Sequence, residues 1–361
     1  LGVTGDATTR ARLSPERQIE DLLKVEAAFA RAMGDVGAVP ADLSAAAAVA
    51  IEAADLDADV LCQDASLDGM PVPGMVRQLK KVLNPALHPA LHAGLTSQDV
   101  MDTALMLAVK DYLDCIEARL KGVIDRLDEL SETAGAQPLM GRTRMQAALP
   151  ITLDHRLQAW RAPLALQMDS LPELRRRVLV IQMGGPVGTA ESFVAPVGPL
   201  RDAFAARLDL ASGLPWHTDR SRIMELGAWV TRVTGGLAKI GHDVALMAQQ
   251  GVDEINLAAG GRSSAMAHKS NPVKAEILVA LGRDTSVQLG ALHLAQEHEL
   301  ERSGTAWALE WMVLPRIMEA GGGALLRAQD LLNDLSFPLQ DTRLSVSLPV
   351  VRERRSAAHP G

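Results

Sequence analysis

Three short polar segments stand out from a sequence that is otherwise rich in apolar residues. The first runs from His92 through Thr96, Ser97 and Gln98 to Asp99, directly before a long stretch of periodic apolar residues. Hydroxyl groups and free backbone N–H groups at the start of a helix bind anions, and the helix dipole assists them. This segment predicts an anion site, and an ordinary Thr, Ser or Asp helix cap is the alternative.

The second polar segment is strongly basic. Arg142 and Arg144 flank Thr143, and Gln146 follows. Guanidinium groups bind carboxylates through two parallel hydrogen bonds, so a pair of arginines suits a substrate with several carboxylates. A solvated basic turn is the alternative that these residues leave open.

The third polar segment, residues 260–272, lies between two long periodic stretches. It begins with two glycines and carries Ser263, Ser264 and Lys269. Consecutive glycines allow several N–H groups to point at one oxyanion or at an activated hydroxyl, and a lysine adds a positive charge. The segment predicts a catalytic loop, whereas its composition alone also fits a flexible linker.

The elements that must position these groups are predicted to be long helices. Apolar residues recur at alternating steps of three and four through residues 221–250, which is the spacing of one helix face. Residues 99–134 and 273–332 show similar patterns, and in the last of these Pro315 predicts a kink or break near Leu314. The chain is therefore predicted to be all-α.

The predicted architecture is an elongated bundle of long helices with a small helical N-terminal domain. We expect the N-terminal domain at residues 1–95, the bundle at residues 96–337 and a short C-terminal tail without periodicity at residues 338–361. Helices of this length cannot cover their own apolar faces, so we expect helices from other copies of the chain to cover them.

Composition argues against several classes of protein. A net charge of −8 argues against a nucleic-acid partner, and an aromatic content of 3% argues against β-sandwiches and barrels. Charges interrupt every apolar stretch before it reaches the roughly 18 residues of a membrane span. Two cysteines, Cys62 and Cys115, and the absence of a leader-like start favour the cytoplasm.

Residues 263–272 resemble the signature loop of the fumarase/aspartase superfamily, G-S-S-x-M-P-x-K-x-N-P. The residues in register are Ser263, Ser264, Met266, Lys269, Asn271 and Pro272. Arg262 and Ala267 stand where the motif has glycine and proline. Residues 96–103 similarly resemble the first conserved block of the superfamily, and residues 141–152 resemble its second. The three blocks occur in the expected order at helix boundaries.

Within the superfamily, residues 69–79 and 92–99 are most similar to the carboxymuconate cycloisomerase group. Arg144 stands where most lyases of the superfamily carry histidine, which counts against adenylosuccinate or argininosuccinate cleavage. The resemblance implies lactonisation of 3-carboxy-cis,cis-muconate, or of a similar anion-substituted muconate, in aromatic-compound degradation. The alternatives are a fumarate-releasing lyase like adenylosuccinate lyase and a non-catalytic helical scaffold. The usual C-terminal helical domain is expected to be absent or reduced.

The resemblance also implies roles for individual residues. Ser263 is the expected proton carrier with Ser264 as the alternative, Lys269 stabilises the enolate-like intermediate, and His92 orients or neutralises a carboxylate. The expected substrate-binding residues are Thr96, Ser97, Gln98, Arg142, Thr143, Arg144, Gln146, Met266, Asn271 and Arg302. A homotetramer with sites shared between subunits is implied, together with a small polycarboxylate substrate and neither a metal nor a cofactor.

Overall fold

The computed structural model describes residues 5–258, 260–262, 266 and 270–338. The helices in these ranges are α1 (Ala7–Arg12), α2 (Pro15–Asp35), α3 (Ala41–Glu52), α4 (Ala58–Asp68), α5 (Val72–Val82), α6 (Ser97–Ala134), α7 (Leu153–Val178), α8 (Val197–Leu208), α9 (Ser221–Met247), α10 (Val273–Leu294) and α11 (Gly304–Asp334). A 3-10 helix at Pro85–Ala90 precedes α6. Of the residues that the structure describes, 68% are helical, which confirms the all-α prediction.

Short antiparallel ribbons connect some of the helices. The strands are β1 (Pro138–Thr143), β2 (Gln146–Thr152), β3 (Asn256–Leu257), β4 (Gly261–Arg262), β5 (Ser270–Asn271) and β6 (Leu335–Ser336). β1 pairs with β2, β3 with β6 and β4 with β5. The β1–β2 hairpin joins α6 to α7, so the second polar segment forms the tip of a hairpin.

The bundle consists of α6, α7, α9, α10 and α11, whose apolar faces form one continuous core. On α9 the buried residues include every member of the predicted face: Ile223, Leu226, Val230, Val233, Leu237, Ile240, Val244 and Met247. Helical periodicity therefore located this face correctly. None of the described helices is both long and apolar enough to cross a membrane.

Of the kink or break predicted near Leu314, the break is wrong, while the kink stays a prediction. α11 continues through Pro315, and the chain instead turns at residues 295–303, where Ser303 caps α11 by accepting a hydrogen bond from the Ala306 N–H at 3.1 Å. A proline removes one backbone hydrogen bond from a helix. Buried Leu314 and Ile317 pack into the core on both sides of it, and this packing holds the helix together.

A second apolar core lies beside the bundle. It is built from the N-terminal helices and from residues 181–205, which include α8. The rings of Phe29 in α2 and Phe204 in α8 meet edge to face, with centroids 5.4 Å apart. The N-terminal helices are thus packed against a segment from the middle of the chain, while the boundary near Leu95 stays a prediction.

Close approach of α9 and α10 depends on a glycine, which supplies a test of the packing. A methyl group on Gly241 would lie 2.5 Å from the Ala275 carbonyl oxygen and 2.9 Å from Leu278 Cβ. We expect Gly241→Ala to lower the free energy of unfolding by roughly 1–3 kcal/mol because the two backbones must separate. Urea unfolding followed by circular dichroism measures this change.

The matched control is Gly198→Ala in α8, where nothing lies within 4 Å of the added methyl group. That variant should unfold at nearly the wild-type urea concentration. Equal stability of the two variants would contradict the packing described for α9 and α10.

Candidate active site

The start of α6 is joined to Arg302, which lies in the turn before α11. Arg302 Nη2 donates to Thr96 Oγ1 at 3.1 Å, and its Nε donates to Gln98 Oε1 at 2.9 Å. Because the Thr96 oxygen accepts from Arg302, the Thr96 hydroxyl proton is free to be donated to another group. The structure therefore places Thr96, Ser97, Gln98 and Arg302 together, as an anion site requires.

A buried carboxylate fixes the loop that faces this helix start. Asp99 Oδ1 accepts from the Gly184 N–H at 2.8 Å, and its Oδ2 accepts from the N–H groups of Gly185 at 2.9 Å and Thr96 at 3.0 Å. Its Oδ1 also lies 2.8 Å from His217 Nε2. His217 thus supports Asp99 and the loop.

The same loop also contacts Arg302. The Pro186 carbonyl oxygen accepts from Arg302 Nη2 at 3.2 Å. Gly185 and Gly188 have φ angles of 72° and 81°, a left-handed backbone that glycine adopts without strain. Residues 184–188 were not among the predicted site residues. Their consecutive glycines, Gly184 and Gly185, indicate a turn but no chemistry.

Behind the helix start lies a buried ion triad. Arg220 donates to Asp102 at 2.7 and 3.0 Å and to Glu310 at 2.6 and 2.8 Å, and the three residues are 1–2% exposed. Burial raises the pKa of Glu310 above its ordinary range, against the opposing effect of Arg220. Sequence reasoning missed this triad because its members lie far apart in the chain.

His92 is held by a carboxylate of the protein itself. Its Nδ1 lies 2.6 Å from Glu26 Oε1, and its backbone N–H donates to Glu26 Oε2 at 3.1 Å. Burial alone would lower the pKa of His92, but the hydrogen bond to Glu26 and its charge raise it overall. The carboxylate that His92 neutralises in the described structure is therefore Glu26, and Nε2 is the ring nitrogen outside this pair.

The second polar segment forms the exposed tip of the β1–β2 hairpin. Thr143 pairs with Gln146, and both residues between them have left-handed backbones, with φ angles of 50° at Arg144 and 65° at Met145. Arg142 forms an ion pair with Glu254, which is almost fully buried. Thr143, Arg144 and Gln146 are exposed.

The hairpin borders a cleft of about 330 Å³ against the end of α9. Two acids in its wall, Glu254 and Asp243, are paired with Arg142 and Lys239. Arg144 also lines the cleft, which therefore has a basic character.

The third polar segment is described only in part. Ser263, Ser264 and Lys269 lie outside the described residues. Met266 is 45% exposed, and Asn271 in β5 pairs with Gly261 in β4. Lys274, at the start of α10, forms an ion pair with Asp334 at the end of α11.

The first polar segment lies at one end of the bundle, and the hairpin and the described part of the third segment lie at the other. α6 has 38 residues and, at 1.5 Å per residue, separates the Thr96 end from the hairpin by about 55 Å. α11 has 31 residues and separates Arg302 from the end where residues 270–274 lie by about 45 Å. One protomer therefore cannot bring the start of α6 together with the hairpin or with residues 270–274.

No group of three or more His, Cys, Asp or Glu side chains within the described ranges is placed to hold a metal ion.

Comparison with known proteins identifies the family to which this long-helix bundle belongs. Residues 4–284 match the family described as Lyase, and the chain belongs to this family. This confirms the resemblance to the fumarase/aspartase superfamily.

One relative and two crystal structures show which enzymes this chain resembles. The 3-carboxy-cis,cis-muconate cycloisomerase of Acinetobacter baylyi is 33% identical over 90% of this chain and 74% of the relative. The crystal structure of the 3-carboxy-cis,cis-muconate lactonizing enzyme from Pseudomonas putida matches with a TM-score of 0.85 at 33% identity, covering 93% of this chain and 76% of that one. A fumarate lyase from Mesorhizobium matches with a TM-score of 0.86 at 28% identity, covering 92% and 76%.

The His92–Glu26 pair predicts a pH-dependent contribution to stability. A raised pKa in the folded state means that the pair stabilises fully below the ordinary histidine pKa of 6.5, and that this stabilisation is lost as pH rises through the raised value. We expect the difference in unfolding free energy between wild type and His92→Asn to shrink as pH rises from about 6 to about 9. Asparagine is chosen because it tolerates the φ of 51° at this position.

Urea unfolding at a series of pH values measures this difference. In a Glu26→Gln background this decrease with rising pH should disappear, because burial alone lowers the pKa of His92. A difference that is constant with pH in the wild-type background would contradict the assigned pairing.

Proposed function

We propose that this protein is a cycloisomerase that converts 3-carboxy-cis,cis-muconate, or a similar anion-substituted muconate, to its muconolactone. The observation that carries the proposal is the similarity, over about nine-tenths of the chain, to cycloisomerases in both sequence and structure. A pathway for aromatic-compound degradation is the corresponding setting. The free cysteines Cys62 and Cys115 fit the reducing cytoplasm that we propose as its location.

The proposed active unit is a homotetramer with sites shared between subunits. The separation of about 55 Å along α6 supports this, because the Thr96 end of one chain can meet a hairpin only if another chain supplies it. The exposed Thr143, Arg144 and Gln146 fit a segment that reaches into a neighbouring subunit.

In the proposed reaction a substrate carboxylate oxygen adds to the diene and forms the C–O bond of the lactone. The displaced electron pair passes into an enolate-like form of another carboxylate, and a proton is then delivered to the adjacent carbon. The main obstacle is the second negative charge that gathers on one carboxylate as the attacking carboxylate becomes a neutral ester, and fixed donors in a dry site relieve it by several kcal/mol.

Different residues bind the substrate carboxylates and deliver the proton in the proposed reaction. Arg302, Thr96 and Ser97 bind one carboxylate at the start of α6, with Gln98 holding Arg302. Arg142, Thr143, Arg144 and Gln146 supply a second basic surface. Ser263, with Ser264 as the alternative, delivers the proton, while Lys269, Asn271 and Met266 complete the loop around the intermediate. His92 orients a carboxylate through the ring nitrogen that Glu26 leaves unused.

A fumarate-releasing lyase is the second candidate, and the structural similarity to a fumarate lyase favours it. Both candidate reactions pass through an enolate-like intermediate. The cycloisomerase delivers a proton to the carbon beside the enolate-like carboxylate of the lactone, whereas in the lyase the intermediate expels a leaving group. The presence of the serine, lysine and asparagine of the loop argues against a scaffold without activity, because a scaffold has no physical need for them.

A substrate panel tests the proposal directly. Incubation with muconate, 3-carboxymuconate, sulfonated muconate and adenylosuccinate, followed by ultraviolet absorbance, should show conversion of the carboxy- or sulfo-substituted muconate. The unsubstituted diacid should react more slowly because it lacks the third anion. Turnover of adenylosuccinate alone would replace the proposal with the lyase alternative.

Mixed tetramers test the shared site. Ser263→Ala and Arg302→Met should each lower turnover by several orders of magnitude and leave the tetramer intact. If the two residues reach one site from different chains, tetramers reassembled from both variants should regain activity, because some sites receive two unchanged contributions.

The matched control mixes Ser263→Ala with Lys269→Met. Both changes lie in one segment, so every site in these hybrids receives a damaged loop, and no activity should return. Recovery in the control, or its absence in the first mixture, would contradict a site shared between chains. Near-normal turnover of Ser263→Ala would show that another group carries the proton.

A further inference from the structure

We propose that Asp102 is a positioning residue for Arg302 and acts through the buried amide of Gln98. Gln98 Nε2 donates to Asp102 Oδ2 at 3.2 Å and to the His217 carbonyl oxygen at 2.9 Å, while its Oε1 accepts from Arg302 Nε at 2.9 Å. Gln98 has no exposed surface. Because Arg302 is a substrate-binding residue only in the proposed function, this kinetic role rests on that function.

The orientation of the Gln98 amide follows from the partners on its two sides. Arg302 carries only donors, so the amide must present its oxygen to Arg302. On the opposite side Asp102 accepts from Arg220 and from the amides of Gln98 and Gln182, the last at 3.3 Å. The acceptors at Asp102 and at the His217 carbonyl oxygen together keep the Gln98 nitrogen inward and its oxygen outward.

This arrangement leaves one edge of Arg302 for a ligand. Its Nε is held by Gln98, and its Nη2 is held by Thr96 Oγ1 and the Pro186 carbonyl oxygen. Nη1 lies outside these three bonds. A carboxylate that meets Nη1 and the Thr96 hydroxyl would find both donors already oriented, which lowers the entropy cost of binding.

Asp102→Asn is the informative change because it keeps the size of the side chain and replaces one acceptor oxygen with a donor nitrogen. Asparagine keeps one acceptor oxygen for the four hydrogen bonds that Asp102 accepts from Arg220, Gln98 and Gln182. Gln98 Nε2 then competes with Arg220 and Gln182 for that oxygen, and its amide is held inward by the His217 carbonyl oxygen alone when it loses. The Gln98 oxygen is then less firmly fixed, and Arg302 loses a fixed acceptor. The Arg220–Glu310 ion pair remains, and the buried guanidinium keeps a partner.

Glu310→Gln is the matched control. It also removes one carboxylate from Arg220, and it leaves the Asp102–Gln98–Arg302 chain unchanged. The two variants thus each remove one carboxylate from Arg220 and differ in whether a hydrogen-bond partner of Gln98 is changed.

The experiment compares wild type, Asp102→Asn, Glu310→Gln, Arg302→Met and the Asp102→Asn/Arg302→Met double variant as intact assemblies on the substituted muconate. We expect Asp102→Asn to lower kcat/KM on the order of 100-fold, mainly through KM, and Glu310→Gln to stay near wild type. In the Arg302→Met background Asp102→Asn should cost little more, because the residue that it positions is already gone. Equal losses in the two single variants, or additive losses in the double variant, would overturn the proposal.

Crystal structures of Asp102→Asn and Glu310→Gln separate this inference from the proposed function. Arg302 should leave Gln98 Oε1 in the first variant and retain it in the second, whichever substrate the enzyme uses. If Arg302 stays bonded to Gln98 in Asp102→Asn, the positioning role is wrong. A wild-type protein that turns over no muconate would instead refute the proposed function and leave the crystallographic comparison valid.

Discussion

The Asp99 carboxylate has no exposed surface, yet three backbone N–H groups and His217 surround its two oxygens. One of those N–H groups belongs to the cap of α6 and two belong to the glycine turn at residues 184–185. Losing the carboxylate would leave these buried donors unpaired, at a cost of about 1–3 kcal/mol for each. The polar surface at this end of the bundle thus depends on one acid that no substrate needs to touch.

Helix length sets the second constraint. A bundle built from helices of 22 to 38 residues holds its polar segments at the ends, because the middle of each helix is committed to the core. Chemistry that needs donors from both ends must therefore bring together the ends of different chains. The long helices that make the single chain stable also keep the start of α6 away from the hairpin within that chain.

Sequence reasoning succeeded where a feature is periodic or local. The buried face of α9 and the start of α6 followed from spacing and from capping residues. It failed at Pro315, because tertiary packing outweighed a local helix breaker. It also missed the Arg220 triad and the Arg142–Glu254 pair, since partners more than 80 residues apart leave no pattern in the chain.

The left-handed turn at Arg144 and Met145 has a consequence for protein engineering. Asn-Gly is the sequence that such a two-residue turn prefers, and relief of the backbone would favour it by about 1–3 kcal/mol at each position. That exchange would remove a guanidinium group from the hairpin tip. Thermostability screens that vary this loop should therefore enrich variants that are more stable but have lost part of their basic surface.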